Sequence, residues 1–365
     1  MTDQPRFLII ADGAFGPETS KTADCAIRYI PERVAAVLDV SAAGRTAQEV
    51  LGFGGSIPVV GTMEEGLALA PSALLIGIAP RGGRLPDEWR GWIAAAIDHG
   101  LDIWSGLHTL IGDDPELSAR AAAKGVRLLD LRRPPDGLPV SNGRARLVDA
   151  LVVLTVGTDC NTGKMTAQLE LLRGLEARGV RTRFVPTGQT GILIAGWGIA
   201  VDAVVADFIG GAAEQMVVEA ARDAEVVLVE GQGSLIHPGY SGVTLGLLHG
   251  SCPAAMILCH KVSRRLIGEY HKGTAWIAIP PLAEVVRVYE EAAGWVQPSR
   301  VIGVALNTYD LPDGEAAAAV ERASRETGLP ATDPVRFGPG PLVEAIARAA
   351  ADRRAAGSVT PATPA

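Results

Sequence analysis

LVVLTVGTDCNTGKMT, residues Leu151 to Thr166, decides the fold. An apolar, β-branched run, Leu151–Val156, reads as a buried strand. It passes straight into a glycine-bounded loop and then into a helical pattern beginning near Gly163 and Lys164. Glycines let backbone N–H groups turn inward around an anion. The new helix points the positive end of its dipole at the same place, and Lys164 adds a full charge. The order strand, loop, helix belongs to a parallel α/β sheet, with a phosphate as the natural occupant of the turn.

The loop departs from the usual G-x-x-x-x-G-K-[ST] pattern. Five residues separate Gly157 from Gly163, and Met165 follows the lysine. The hydroxyl that would hold magnesium is displaced to Thr166, about 100° further round the helix. A polyphosphate is easily accommodated, while magnesium-dependent phosphoryl transfer is disfavoured. Gly157, Thr158, Asp159, Asn161, Thr162, Gly163, Lys164 and Thr166 are the candidate phosphate ligands.

Outward from this stretch the same alternation continues. Further strands are expected at Val180–Pro186, Val226–Glu230, Ala255–Cys259 and Val301–Asn307, with helices at Gly163–Arg178, Gly211–Arg222, Leu282–Gly294, Glu315–Gly328 and Leu342–Arg354. Towards the N-terminus, strand-like runs fall at Phe7–Ala11, Val34–Val40, Ser72–Ala79, Leu101–Ser105 and Val126–Leu129. Asp87–His99 carries helical periodicity between Pro86 and Gly100. The expected architecture is α/β throughout: a Rossmann-like parallel-sheet domain over 1–131, a proline- and glycine-rich linker over 132–146, and a doubly wound P-loop-like domain over 147–355. A flexible tail over 356–365 completes it. Ala11–Gly16 after the first strand contains no G-x-G-x-x-G, so a nicotinamide cofactor is not expected.

Composition removes other classes. Hydrophobic residues make up 48% of 365, which rules out a disordered chain. A net charge of −8 argues against a nucleic-acid partner and confines any anion site to a local feature. No apolar run approaches the ~18 residues of a membrane span. Cys25, Cys160, Cys252 and Cys259 lie too far apart for a zinc ribbon and read as free thiols. A cytoplasmic protein with a small-molecule substrate, no membrane association, no bound metal and a homo-oligomeric state is the expectation.

Gly157 to Lys164 (GTDCNTGK) resembles the variant phosphate loop of the dethiobiotin synthetases, as do the later segments VLVEGQGSLIHP (227–238) and IGVALN (302–307). That resemblance implies that Asp159, Thr166 and Glu230 surround the phosphates and a metal, and that Asn307 reads a base. It would make the chain an ATP- and magnesium-dependent kinase or ligase, although Arg183–Gly188 lacks the lysine those enzymes carry before the proline. Over its full length the chain resembles a second family, through GTDCNTGKMT, PTGQTGILIAGWG, DFIGGAAE, VEGQGSLIHPGYSGVTLGLLHGS and LCHK. This is the DgcN-type D-glutamate N-acetyltransferase family, long known as a domain of unknown function. It implies acetyl-CoA as co-substrate, whose three phosphates need no magnesium-bound γ-phosphate. A nucleotide- or CoA-sensing protein without turnover is the third alternative.

Acetylating an amine requires a base, donors for the carbonyl oxyanion and cations for the acceptor's carboxylates. Four of six histidines, His237, His249, His260 and His271, follow Glu230 closely. Glu230, His237, His249 and His260 are the catalytic candidates, and His271 reads as surface. Arg264 and Arg265 suit a dicarboxylate, with Lys261 and Lys272 as point charges. Gln189 and Thr190, on a polar glycine loop after a strand, complete the expected substrate site.

Overall fold

The computed structural model describes residues 4–17, 19–78, 85–268 and 277–357. It divides into two units, Met1–Pro134 with Gln189–Ala203, and Pro135–Gly188 with Val204–Ala365.

The first unit is a six-stranded sheet, β1 (Phe7–Ile10), β2 (Val34–Leu38), β3 (Val59–Val60), β4 (Ala73–Ile76), β5 (Asp102–Ser105) and β6 (Leu128–Asp130). Every pairing is parallel, in the order β3-β2-β1-β4-β5-β6. That is the Rossmann-like arrangement the alternation predicts. Its helices are α1 (Lys21–Tyr29), α2 (Ala47–Leu51), α3 (Met63–Leu67), α4 (Asp87–Asp98) and α5 (Pro115–Lys124). Local chemistry sets their ends. Thr46 with Glu49 and Thr62 with Glu65 form capping boxes, while Asp114 caps α5 before Pro115 and left-handed Gly125 closes it. At the end of β2, Asp39 is fully buried and accepts bonds from the backbone of Phe15, Ser41 and Ala42. Its carboxylate is thereby committed to folding the turns around β1.

The second unit carries β7 (Leu151–Gly157), β8 (Thr182–Val185), β9 (Val226–Val229), β10 (Ala255–Lys261), β11 (Arg300–Asn307) and β12 (Ala331–Thr332). They are parallel, in the order β12-β11-β10-β7-β9-β8. All seven residues of β7 are buried, as a central strand covered on both faces requires. Its helices, together with the one that departs to the first unit, are α6 (Lys164–Glu176), α7 (Gln189–Ala195), α8 (Ala206–Ala220), α9 (Ser241–Ser251), α10 (Leu282–Gly294), α11 (Asp313–Thr327) and α12 (Gly340–Gly357). The topology places the carboxyl ends of β7, β9 and β10 side by side, so the residues after those strands converge.

Helix α7 and the residues to Ala203 pack in the first unit although they follow β8 in sequence. Thr190 Oγ1 lies 2.9 Å from Thr22 Oγ1, Asp202 pairs with Arg132, and Leu193 is fully buried in the first unit's core. Gly106 leaves no room for a Cβ beside the Gln189 side chain, whose Cγ is 2.6 Å away. The short edge strands β3 and β12 and helices α7 and α9 are additions to the expected elements, and α7 begins at Gln189, where a polar glycine loop was expected. The tail expected over 356–365 lies outside the described residues from 358 onwards.

Candidate active site: a phosphate loop and the strand ends beside it

Strand β7 ends at Gly157, and the turn to α6 is held on every side. Thr158 N donates to the Cys259 carbonyl at 3.1 Å, and Thr158 Oγ1 lies 2.9 Å from His260 Nδ1. Asp159 is fully buried. Its carboxylate accepts from Cys160 N (2.7 Å), Gly268 N (2.8 Å) and Arg264 Nη1 (3.1 Å), while His237 Nε2 stands 3.9 Å away. Arg264 Nη1 also donates to the Cys160 carbonyl. A buried carboxylate with a guanidinium and two N–H donors is satisfied, and losing one partner would strand the other charge.

The loop then takes two left-handed steps, at Asn161 (φ 51°) and Gly163 (φ 98°). The second favours glycine, because a side chain there is strained. Gly163 N-caps α6 without a side-chain hydrogen bond, so no capping side chain covers the positive end of the helix. Lys164 is almost buried, and its Nζ donates to the Asp159 carbonyl at 2.8 Å. Thr162 Oγ1 shares that carbonyl at 3.3 Å. Gly231 is fixed by close approach. A Cβ there would sit 1.7 Å from the Thr155 carbonyl oxygen and 3.2 Å from Lys164 Cδ, so the lysine stem runs over a bare backbone. Met165 is buried in the core while Thr166 is half-buried. The position that normally carries the magnesium hydroxyl is therefore turned inward.

The other candidates are distributed as follows. Asn307, at the end of β11, faces the loop, with Cβ and Nδ2 each 4.0 Å from where a Cβ on Gly163 would stand. Glu230 is buried after β9; its Oε2 accepts from Thr187 N (3.0 Å) and Gly188 N (3.2 Å), and its carbonyl accepts from Thr187 Oγ1 (2.7 Å). It braces the turn after β8. His237 Nδ1 accepts from Gly239 N at 3.0 Å, and its ring packs on Tyr240. His260 has its pKa lowered to about 4, first by burial and then by the charges of Arg265 and Arg264, so it is neutral at pH 7. Lys261 pairs with Asp310 at 3.4 Å.

Two expected groups have other partners. His249 Nε2 lies 2.9 Å from the Ala292 carbonyl and ties α9 to α10. Gln189 and Thr190 belong to the first unit, where Thr190 meets Thr22. His271 and Lys272 lie outside the described residues.

One residue escaped the sequence altogether. Tyr289, fully buried on α10, donates its hydroxyl to the Gly157 carbonyl at 2.8 Å and accepts from Leu235 N at 3.0 Å. It joins the start of the phosphate loop to the segment that presents His237. At sequence level it is one more apolar-face residue of an amphipathic helix, and only the 132-residue separation closed by folding reveals it.

A doubly wound parallel sheet whose central strand runs through a glycine-bounded loop into a helix that begins with a lysine defines a P-loop-type α/β protein. The chain belongs to the DUF1611 family. Residues 139–343 match the family's "domain of unknown function" P-loop domain, and residues 40–134 its Rossmann-like N-terminal domain. Among curated proteins it is similar to a D-glutamate N-acetyltransferase of Tritonibacter scottomollicae, at 41% identity over 287 residues, 78% of this chain and 84% of that protein. A second D-glutamate N-acetyltransferase, from a Pseudoalteromonas species, is 36% identical over 76% of this chain and 82% of its own length. The crystal structure of a DUF1611 family protein from Anabaena variabilis superposes with a TM-score of 0.89 at 38% identity, covering 94% of this chain and all of that one. Among the described residues no helix is long and apolar enough to cross a membrane.

Proposed function

We propose that this chain is an acetyl-CoA-dependent N-acetyltransferase whose acceptor is D-glutamate or a similar acidic amino acid. The names of the two relatives supply the reaction. The observation from this chain that supports it is the inward turn of Met165 at the start of a helix that a glycine-bounded loop feeds. Such a loop suits phosphates that are held but not cleaved, as those of coenzyme A are.

In this reading the backbone from Gly157 to Gly163, with Lys164, binds phosphate oxygens. Lys164 Nζ exchanges the Asp159 carbonyl for the incoming anion. Asn307 stands where a base beyond the phosphates would reach. The acceptor's carboxylates are met by the cations at the end of β10 and just beyond it, Lys261, Arg264 and Arg265, of which Arg264 is shared with Asp159. The amine loses its ammonium proton to a neutral base before attacking the thioester carbonyl, and the coenzyme thiolate leaves. His260, uncharged at neutral pH and oriented by Thr158, and His237, oriented by Gly239, are the groups proposed to serve it.

The test is release of coenzyme A thiol from acetyl-CoA with D-glutamate and L-glutamate in parallel, without ATP and with a chelator present. Release with D-glutamate alone is expected. Turnover that requires ATP and magnesium would overturn the reading in favour of a ligase or kinase.

A further inference from the structure

Tyr289 carries a hydroxyl that packing does not require. The side chain is fully buried on α10, and a phenylalanine ring would fill the same space. The oxygen nevertheless serves two backbone segments, 132 and 54 residues away in the chain. It donates to the Gly157 carbonyl at 2.8 Å, where β7 opens into the glycine loop, and accepts from Leu235 N at 3.0 Å. Gly157 N, at 3.4 Å, and Ser234 Oγ, at 3.5 Å, stand around the same oxygen. The hydroxyl's proton and lone pairs are thereby all engaged by the protein.

The two ends of this tie are unequally fixed. All seven residues of β7 are buried, and its last, Gly157, pairs with Cys259 of β10. A Cβ on Gly157 would stand 2.9 Å from both Lys164 Nζ and Thr162 Oγ1, so the strand end is locked against the loop. The segment after β9 is held by local turns: Ile236 N donates to Ser234 Oγ at 3.4 Å, His237 N to the Ser234 carbonyl at 3.1 Å, and Gly239 N to His237 Nδ1 at 3.0 Å. Among the described residues, Tyr289 is the one hydrogen-bond partner that residues 234–240 have outside 232–244. The His237 ring ends with its Nε2 3.9 Å from an Asp159 carboxylate oxygen, beside the loop. Without the hydroxyl, Gly157 and Leu235 each lose a partner, and the segment free to shift towards another is 234–237.

We infer that Tyr289 is a positioning residue for His237: its hydroxyl holds the 234–237 turn at a set distance from the phosphate loop, so that the imidazole meets what the loop has bound. The inference rests on the proposed reading of residues 157–166 as the phosphate site and of His237 as a group that serves the amine. Tyr289 itself touches no substrate and acts through the histidine. A catalytic group displaced by 1 Å costs up to about 100-fold in rate, whereas a strand end that stays in place keeps the affinity of the loop. The hydroxyl is therefore expected to act on kcat and not on donor binding.

The test is a double-mutant cycle in the full chain, well below the melting temperature of every variant, with Val285→Ala as a control. Val285 is fully buried on the same helix, so its truncation loosens α10 without touching the tie. Tyr289→Phe should lower kcat for coenzyme A release about tenfold and keep acetyl-CoA and pyrophosphate affinity within about threefold. On a His237→Ala background the same change should cost less than about twofold, since the two losses share one cause. Val285→Ala should keep kcat within about twofold. The His237 ring proton resonance, identified by its absence in His237→Ala, should move in Tyr289→Phe and stay in place in Val285→Ala, with no acetyl donor present. Additive losses in the cycle, an equal loss in Val285→Ala, a loss confined to affinity, or wild-type kcat in His237→Ala overturns the inference. So does an unmoved His237 resonance, whatever the reaction proves to be. Turnover only with ATP and magnesium would reject the acetyl transfer, and a resonance that still moves in Tyr289→Phe would uphold the tie.

Discussion

Lys164 and Thr166 are two residues of the same first turn of α6 with opposite expected weights. A charge-assisted bond to a phosphate contributes roughly 1.5–3 kcal/mol, so Lys164→Ala should weaken acetyl-CoA binding about tenfold or more by titration calorimetry. Thr166→Ala should keep activity within about twofold in the presence of a chelator, since the half-buried Thr166 is not asked to hold a metal; a loss beyond tenfold would restore the magnesium reading. Tyr289→Phe removes one buried hydroxyl that serves Gly157 and Leu235. It leaves both backbone groups short of a partner, at a cost of about 1–3 kcal/mol, measurable by denaturant melts. The strand, loop and helix around Gly157–Lys164 were legible in the sequence because their signal is local: glycine, glycine, lysine, then a helix. Tyr289, Gly268 and the Arg264–Asp159 pair were not, because each acts across about a hundred residues and no spacing rule reaches that far.

At the level of elements, two buried titratable groups give the units opposite responses to pH. His260 at the end of β10 has a folded-state pKa of about 4, below its ordinary 6.5. The unfolded chain therefore binds the proton first, and the stability contributed by the neutral ring is lost as pH falls from 6.5 towards 4. Asp24 near the start of α1 is raised to about 7, mainly by burial. Here the folded state binds the proton more tightly, so stability is lost as pH rises from about 4 to 7. Acid melts of His260→Gln should flatten below pH 6.5, and Asp24→Asn should flatten between pH 4 and 7. Unchanged slopes in both would contradict the burial of these groups. Strand and helix positions in the sheets were foreseeable from apolar runs and caps such as Pro86. Strands β3 and β12, two residues each, carry too little pattern to be seen. Helix α9, nearly featureless in its polarity along Ser241–Ser251, is defined by tertiary burial of Thr244, Leu247 and Leu248.

On the scale of the whole chain, the P-loop family match runs without a break over 139–343, yet Gln189–Ala203 folds into the other unit. Composition marks the proline- and glycine-rich stretch 132–146, and a division is expected there for that reason. Nothing in PTGQTGILIAGWG says that Leu193 fills another unit's core. A fragment ending at Pro134 is accordingly expected to lack part of its own interior. It should bind a hydrophobic dye and melt well below the intact protein, and Leu193→Ala in the full chain should cost about 2–5 kcal/mol. A fragment 1–134 as stable as the intact first unit would contradict that division.

The backbone passes from one unit to the other three times, at Pro134–Pro135, Gly188–Gln189 and Ala203–Val204. Recombination at any one of these junctions therefore leaves at least one partner incomplete. The two halves are accordingly expected to travel together, since cutting either one loose as a self-contained cassette would leave part of a unit behind.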